Sequence, residues 1–392
     1  MVIQVILVAF ALLLLLELWR SHRAQRRGIN ERRPVKPLRS YPSVTVIRPI
    51  KGLDAGARDN MRAALEHGYP GKVETLFVFD DHFEPAVPLA EDAIAAYRDA
   101  GGPDRADVVF CGQPPRGRTG KLNAMIAGLR QARGEVIVFA DSDIRPDRDA
   151  LRRLVETLLE SEKNGSAFAP VVVQQAPSTA GDVGYALLLN GLYGPAAAAA
   201  AHDRGGTLPF IMGQFMAFRR EAIEAIGGLE TADGQLVDDM YLGMRVTQEG
   251  YKNRVSPHYV PIVQEGMTSG EFARTFVRWI TFSRSGLPGR DFKLASWLRG
   301  AVFWLGLVAA VFALTQGMWL AAALNLLAPL GTALSINRLH ASLGGAPLSW
   351  RQSWVGFAVL LAAPVIYLNV LTRRKVSWRG RSYELSNEAT LA

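Results

Sequence analysis

Asp141, Ser142 and Asp143 place two carboxylates two positions apart, directly behind the apolar run Val136 to Ala140. At the end of a strand such a pair can converge on one hard divalent cation, Mg²⁺ or Mn²⁺, which also needs oxygen from a diphosphate. A second acidic pair, Asp80 and Asp81, follows the run Val73 to Phe79 in the same way. A third, Asp238 and Asp239, opens the helical pattern Met240 to Glu249. Carboxylates suit a helix start because they interact with its free amides and dipole. One of the two can at the same time face a cleft as general base for an incoming hydroxyl. Other chemistries lack their residues. Arg48-Pro49-Ile50-Lys51-Gly52, after the first apolar run, has no G-x-G-x-x-G spacing for a dinucleotide. Gly120-Lys121 fails as a phosphate-binding loop, with Leu122 at the metal-binding Ser/Thr position and Pro115 at the first glycine. Cys111 is the only cysteine, which excludes an internal disulfide and a thiolate metal cluster.

The elements that must position these carboxylates lie between roughly Ser43 and Gly289, where β-rich runs alternate with helical ones. Strands are expected at Val44 to Ile47, Val73 to Phe79, Ala106 to Phe110, Glu135 to Ala140 and Ala167 to Gln174. Helices are expected at Asn60 to His67, Leu89 to Asp99, Leu122 to Ala132 and Asp149 to Glu162. This alternation predicts an α/β fold, a mostly parallel sheet with helices on both faces, whose ligands bind beyond the carboxyl ends of the strands. Glu271 to Ser285 reads as an amphipathic helix for a membrane surface, with Phe272, Phe276 and Trp279 at helical spacing. Its Arg278-Trp279 pair could in addition close over a diphosphate.

The chain has 392 residues and a net charge of +8. Arg20, Arg23, Arg26, Arg27, Arg32, Arg33, Lys36 and Arg39 cluster directly behind an apolar N-terminus, which favours a membrane over nucleic acid as partner. Met1 to Leu18 carries one charge, Glu17, and as a helix reaches about 27 Å. Positive charge after this stretch, rather than before it, argues for an anchor over a cleaved signal peptide. The catalytic part is then expected in the cytoplasm. Arg299 to Arg338 encloses an uncharged interval too long for one span, so a hairpin turning near Gln316 and Gly317 is expected. Ser353 to Thr372 is a second uncharged stretch, followed by Arg373, Arg374 and Lys375. Four full spans would put that basic tail outside, so one C-terminal segment is expected to be re-entrant or interfacial. The expected organisation is an anchor at 1–19, a basic linker at 20–42, a catalytic domain at 43–289, a membrane region at 290–372 and a basic tail at 373–392.

In this order the features resemble the nucleotide-diphospho-sugar glycosyltransferases of the GT-A fold, and within them glycosyltransferase family 21, the ceramide glucosyltransferases. Pro49 to Gly52 is similar to the family's opening motif, and Asp81-His82 with Pro85-Ala86 to its first aspartate segment. Asp141-Ser142-Asp143-Ile144-Arg145 is similar to the second and Asp238-Asp239 to the third. Lys121 and Asn123 resemble the Lys-x-Asn that helps hold the nucleotide. Ile211 to Arg220, with Gly213 and Gln214, resembles the segment lining the acceptor side. The family's (Gln or Arg)-x-x-Arg-Trp motif reads Thr275-Phe276-Val277-Arg278-Trp279, and the missing Gln argues against processive polymer synthesis.

The resemblance implies an inverting transfer of glucose from UDP-glucose to a ceramide hydroxyl at the cytoplasmic face of a membrane. It implies Asp239 as base, with Gly213, Gln214 and Asp238 on the acceptor side and a divalent cation on Asp141 and Asp143. Asp81, Lys121, Asn123, Asp141, Arg278 and Trp279 would hold the nucleotide sugar. Val237 to Gly243 (VDDMYLG) is also close to hopanoid-linked glycosyltransferases. Hopanoid and polyprenyl lipids therefore stand beside ceramide as acceptors, with a polysaccharide synthase and an inactive membrane scaffold as rival readings.

Overall fold

The computed structural model describes residues 1–287, 289–386, 390 and 391, without the side chains of 289–299. The chain forms two compact units. One, the sheet unit, comprises Arg32–Val172, Asp203–Gln264 and Arg374–Ala392. The other, the helical unit, comprises Met1–Glu31, Val173–His202 and Glu265–Arg373.

In the sheet unit the first four expected strands appear as β1 (Val44–Pro49), β2 (Val73–Phe79), β3 (Arg105–Phe110) and β4 (Val136–Ala140). Helices Ala57–Leu65, Val87–Asp99 and Gly120–Gln131 connect them, and all their pairings are parallel. Every residue of β2 and β4 is buried, and β4 accordingly reads as an unbroken apolar run, while in β2 the buried Glu74 and Thr75 interrupt it. Helix Ala150–Leu159 buries Leu151, Leu154, Val155 and Leu158, the i, i+3, i+4, i+7 stripe of one face.

The expected strand at Ala167 to Gln174 divides into β5 (Asn164–Phe168) and β6 (Val171–Val172) around Pro170, which has no N–H for a ladder. With β7 (Thr207–Leu208), β8 (Phe215–Arg219) and β9 (Lys252–Val255) the main sheet has the order β3-β2-β1-β4-β8-β5-β9-β7. The sheet is mostly parallel, as expected, with two exceptions: β8 runs antiparallel to both its neighbours, β4 and β5, and β7 runs antiparallel to β9. Ala140, the last residue of β4, pairs with Phe215, the first of β8. The chain thus enters β8 at the carboxyl end of β4 and runs back, with no crossover of the kind a parallel pair needs.

Phe77, Phe79, Phe139, Phe168, Phe215 and Phe218 are fully buried around this sheet. Removing each from water contributes about 1.5–3 kcal/mol before chain entropy is counted. A small strand β10 (Val260–Pro261) pairs with β6. Finally, β11 (Lys375–Trp378) and β12 (Arg381–Glu384) form an antiparallel hairpin. Its two-residue turn has Arg379 at φ 51 and Gly380 at φ 74, the left-handed pair whose twist matches the flanking strands.

In the helical unit, Val2–Asn30, Trp319–Ser342 and Val355–Thr372 are long and apolar enough to cross a membrane. The expected hairpin is present: helix Gly289–Thr315 is followed by Gln316 and Gly317, the latter at φ 66, and then by Trp319–Ser342. The first of these two has only the shorter apolar stretch Gly300–Thr315. The N-terminal helix continues past Leu18 through the basic residues to Asn30, a stretch without proline. Helix Ser269–Gly286 opens with a capping box between Thr268 and Glu271. Asp182, at the start of helix Ala180–Leu187, accepts the Gly266 and Met267 amides at 3.1 and 2.8 Å, tying the two helices together.

Candidate active site

The reversal at β8 brings the second and third acidic clusters together. Asp141 leaves the end of β4 opposite Gln214, which leads into β8, and the Asp141 amide donates to the Gln214 carbonyl at 2.8 Å. Lys121, in the first turn of helix Gly120–Gln131, reaches across both loops. Its ammonium lies 2.6 Å from Asp141 Oδ1 and donates to the Gly213 carbonyl at 3.0 Å. The Gly213 amide in turn donates to Asp239 Oδ2 at 2.5 Å. Asp141, Lys121, Gly213 and Asp239 are therefore one continuous polar chain. A side chain at 213 would break it, because a Cβ there would lie 2.5 Å from Asp239 Oδ2.

Asp238 and Asp239 begin helix Asp238–Gln248 and bond its first free amides. Asp238 Oδ1 accepts from the Asp239 amide at 2.9 Å, and Asp239 Oδ1 from the Met240 amide at 2.8 Å. Burial, with the neighbouring Asp238 charge, pushes the Asp239 carboxyl up to about 7. The Lys121 charge and the two amides oppose that rise. Burial raises the Asp238 carboxyl as well, and its Oδ2 is buried without a hydrogen-bond partner. A carboxylate that titrates near neutral pH is matched to accept and release a proton.

The other carboxylates gather beyond β1, β2 and β4. Arg48 is buried and donates to the carbonyls of Asp141 and Ile144 at 2.8 and 3.1 Å, which fixes the Asp141–Asp143 loop from below. Ser142 Oγ donates to Asp54 Oδ2 at 2.5 Å. Burial, together with Asp141 and Asp54, pushes Asp143 up to about 7, and its Oδ1 is buried with no hydrogen-bond partner. Among the described residues no group of three or more His, Cys, Asp and Glu side chains is placed to hold a metal ion. Two carboxylates with an unsatisfied buried oxygen do fit a hard divalent cation that completes its shell with phosphate and water, as Mg²⁺ characteristically does.

The remaining sequence-marked residues take different places. Asp81 Oδ1 accepts the Phe83 amide within a turn, whereas its neighbour Asp80 is buried and lies 2.7 Å from Lys51 Nζ. Asn123 donates to the Cys111 and Gly112 carbonyls and holds the exit of β3. Arg278 and Trp279 belong to the helical unit, where the Trp279 ring meets Tyr185 and Tyr193 edge-on, with centroids 5.8 and 5.5 Å away. Sequence reasoning missed Arg48, Asp54 and Glu84, and it quoted Lys51 only as part of the Pro49 to Gly52 motif, without its pairing with Glu84. It also missed two tail residues. Arg379 donates to Asp54 Oδ1 at 2.5 Å and lies 3.9 Å from Asp143 Oδ2, and Arg381 donates to Asp80 Oδ2 at 2.6 Å. The one sequence sign of the latter was an alternating pattern, Lys375 to Trp378 and Arg381 to Glu384, around a turn ending in glycine.

The profile described as Glycosyl transferase family 21 matches residues 1–391. Ceramide glucosyltransferase 3 of Caenorhabditis elegans is 24% identical over 360 residues, which span 90% of this chain and 74% of that one. Ceramide glucosyltransferase 1 of the same organism is 24% identical over 256 residues, 65% of this chain and 52% of its own. Among solved structures, mannosyltransferase PcManGT from Pyrobaculum calidifontis, in complex with GDP-Man and Mn²⁺, superposes with a TM-score of 0.55 at 21% identity. That superposition covers 94% of this chain and 98% of the other. The fold is thus GT-A-like, that of the nucleotide-sugar transferases, with apolar helices of membrane-spanning length towards both ends.

Proposed function

Because the chain belongs to glycosyl transferase family 21, we propose that it moves glucose from UDP-glucose to the hydroxyl of a membrane lipid, ceramide, with inversion at the anomeric carbon. The observation that carries this reading is the polar chain from Asp141 through Lys121 and Gly213 to Asp239, which sets a base beside a donor-type carboxylate cluster. Asp239 accepts the proton of the lipid hydroxyl as that oxygen attacks the sugar from the face opposite the diphosphate. Its second oxygen stays oriented by the Met240 amide. Lys121 keeps Asp141 and the Gly213 loop in register and adds positive charge beside the leaving group. A divalent cation held by Asp141 and Asp143 would, when bound, supply the charge that stabilises the departing UDP. A diphosphate leaving group needs no general acid, so one carboxylate suffices where a glycosidase uses two. Asp81, Asn123, Arg278 and Trp279 are assigned to the donor on the motifs they match, and Gln214 and Asp238 to the acceptor side.

Chain continuity and the basic clusters support one membrane arrangement. Asp203–Gln264 and Arg374–Ala392 belong to the same sheet unit, which an even number of crossings between them would keep on one face. Trp319–Ser342 and Val355–Thr372 supply two. With Val2–Asn30 as the first crossing, positive-inside bias makes the face that carries the Arg20 to Arg39 cluster and Arg373 to Lys375 the cytoplasmic one. The test is transfer of labelled sugar from UDP-glucose, UDP-galactose, UDP-GlcNAc and GDP-mannose to ceramide, diacylglycerol and hopanoid in detergent, with and without EDTA. Glucosylceramide lost on EDTA supports the reading in full. Transfer to another lipid moves the acceptor, and no transfer to any lipid overturns it.

A further inference from the structure

We propose that the C-terminal hairpin β11–β12 is a clamp on the donor, with Arg379 and Arg381 binding the diphosphate of the nucleotide sugar. The proposal rests on the donor site assigned above. The hairpin carries both guanidiniums to the carboxylates beyond β1, β2 and β4. Arg379, at the turn, donates to Asp54 Oδ1 and, at 3.4 Å, to the Lys51 carbonyl. Arg381 donates to Asp80 Oδ2 at 2.6 Å and to Gln113 Oε1 at 2.9 Å. Gly120 leaves the room, since a Cβ there would collide with the Arg381 guanidinium.

The hairpin is held at its flanks rather than by its arginines alone. The Gly120 amide donates to the Tyr383 hydroxyl at 3.2 Å, and the Leu391 amide to the Gly234 carbonyl at 2.8 Å. The strands can therefore stay docked while the long arginine heads exchange partners. Charge decides the direction of that exchange. Asp54, Asp80, Glu84, Asp141 and Asp143 here face Arg48, Lys51, Lys121, Arg379 and Arg381, and Asp238 and Asp239 also face Lys121. A divalent cation on Asp141 and Asp143 repels Arg379, and the diphosphate that arrives with it offers oxygens matched to a guanidinium fork. A tail that merely plugged the site would satisfy these carboxylates. Instead Arg379 stops 3.9 Å from Asp143 Oδ2 and leaves the buried Asp143 Oδ1 without a hydrogen bond.

The experiment is calorimetric titration of UDP with MnCl₂ into the full chain in detergent, for wild type, Arg379→Gln, Arg381→Gln and a control, Lys375→Gln. Lys375 pairs with Glu384 at the exposed side of the hairpin. Each arginine variant is expected to weaken UDP binding by about tenfold and the control to leave it unchanged. Amides of residues 375–385 are expected to gain protection from hydrogen exchange when UDP is added. If Arg381→Gln melts early because buried Asp80 keeps only Lys51 as its partner, Arg379→Gln, whose partner Asp54 keeps the Ser142 hydroxyl, carries the test. Wild-type affinity in the arginine variants overturns the clamp, and so does tighter binding, which would make the tail a competitor. A wild-type protein that does not bind UDP with Mn²⁺ overturns the donor site itself.

Discussion

Gly213→Ala asks whether the base must stand where the Gly213 loop holds it. The added Cβ would lie 2.5 Å from Asp239 Oδ2, 2.7 Å from its Cβ and 2.8 Å from its Cγ. Comfortable contacts between carbon atoms begin near ~3.5 Å, so the carboxylate must retreat by about 1 Å and give up the 2.5 Å bond from the Gly213 amide. A displacement of about 1 Å at a reacting group costs about 10²-fold in rate. The lost charge-assisted hydrogen bond is worth about 1.5–3 kcal/mol, and it favours the ionised form, so its loss moves the Asp239 carboxyl above its present value of about 7. Initial rates with labelled UDP-glucose and ceramide should show kcat down by about 10²-fold, with KM for the donor within about twofold of wild type. The acidic limb of the rate profile should shift to higher pH. A kcat within about threefold of wild type and an unshifted limb would refute the placement of the base.

Wild-type kcat should climb as pH rises through about 7, because the proposed base, Asp239, must be ionised to accept a proton and its carboxyl is raised to about 7 by burial. A profile flat between about pH 6 and 8 would remove Asp239 from the rate-determining chemistry. Lys121→Met strands Asp141 and withdraws the charge that holds Asp239 down. Breaking such a partly buried pair should cost about 3–5 kcal/mol, seen as a melting temperature lower by roughly 10 °C, with the pH limb displaced to the alkaline side. Asp182→Ala leaves the Gly266 and Met267 amides without their acceptor. It should lower the melting temperature by several degrees, about 1–3 kcal/mol per orphaned group.

The parallel half of the sheet was legible because β1, β2 and β4 are buried and rich in Val, Ile and Phe, although only β4 is a continuous apolar run. The hairpin near Gly317 was legible for the same kind of reason, since an uncharged interval too long for one span has to turn. The reversal at β8 was not. Phe215–Arg219 is as apolar as its neighbours, and strand direction depends on where the loop before it enters the sheet, which no local pattern records. The acidic clusters were found one by one, but their junction through Lys121 and Gly213 exists only because β8 runs backwards. Arg48 and Asp54 escaped because each sits outside an acidic pair, and the role of each is to fix or face the Asp141–Asp143 loop. The tail escaped because a basic run behind an apolar helix reads as a topogenic signal. Nothing in its charge reports that Arg379 and Arg381 meet Asp54 and Asp80.

The most direct measurement is the rate of glucose transfer from UDP-glucose to ceramide by Asp239→Asn, with Asp238→Asn beside it and UDP affinity measured on both. Asp239→Asn should lose about 10²–10⁴-fold in kcat while binding UDP as wild type does, because the amide keeps the shape and loses the basicity. Transfer by Asp239→Asn at the wild-type rate, with UDP binding intact, would contradict the account at its centre.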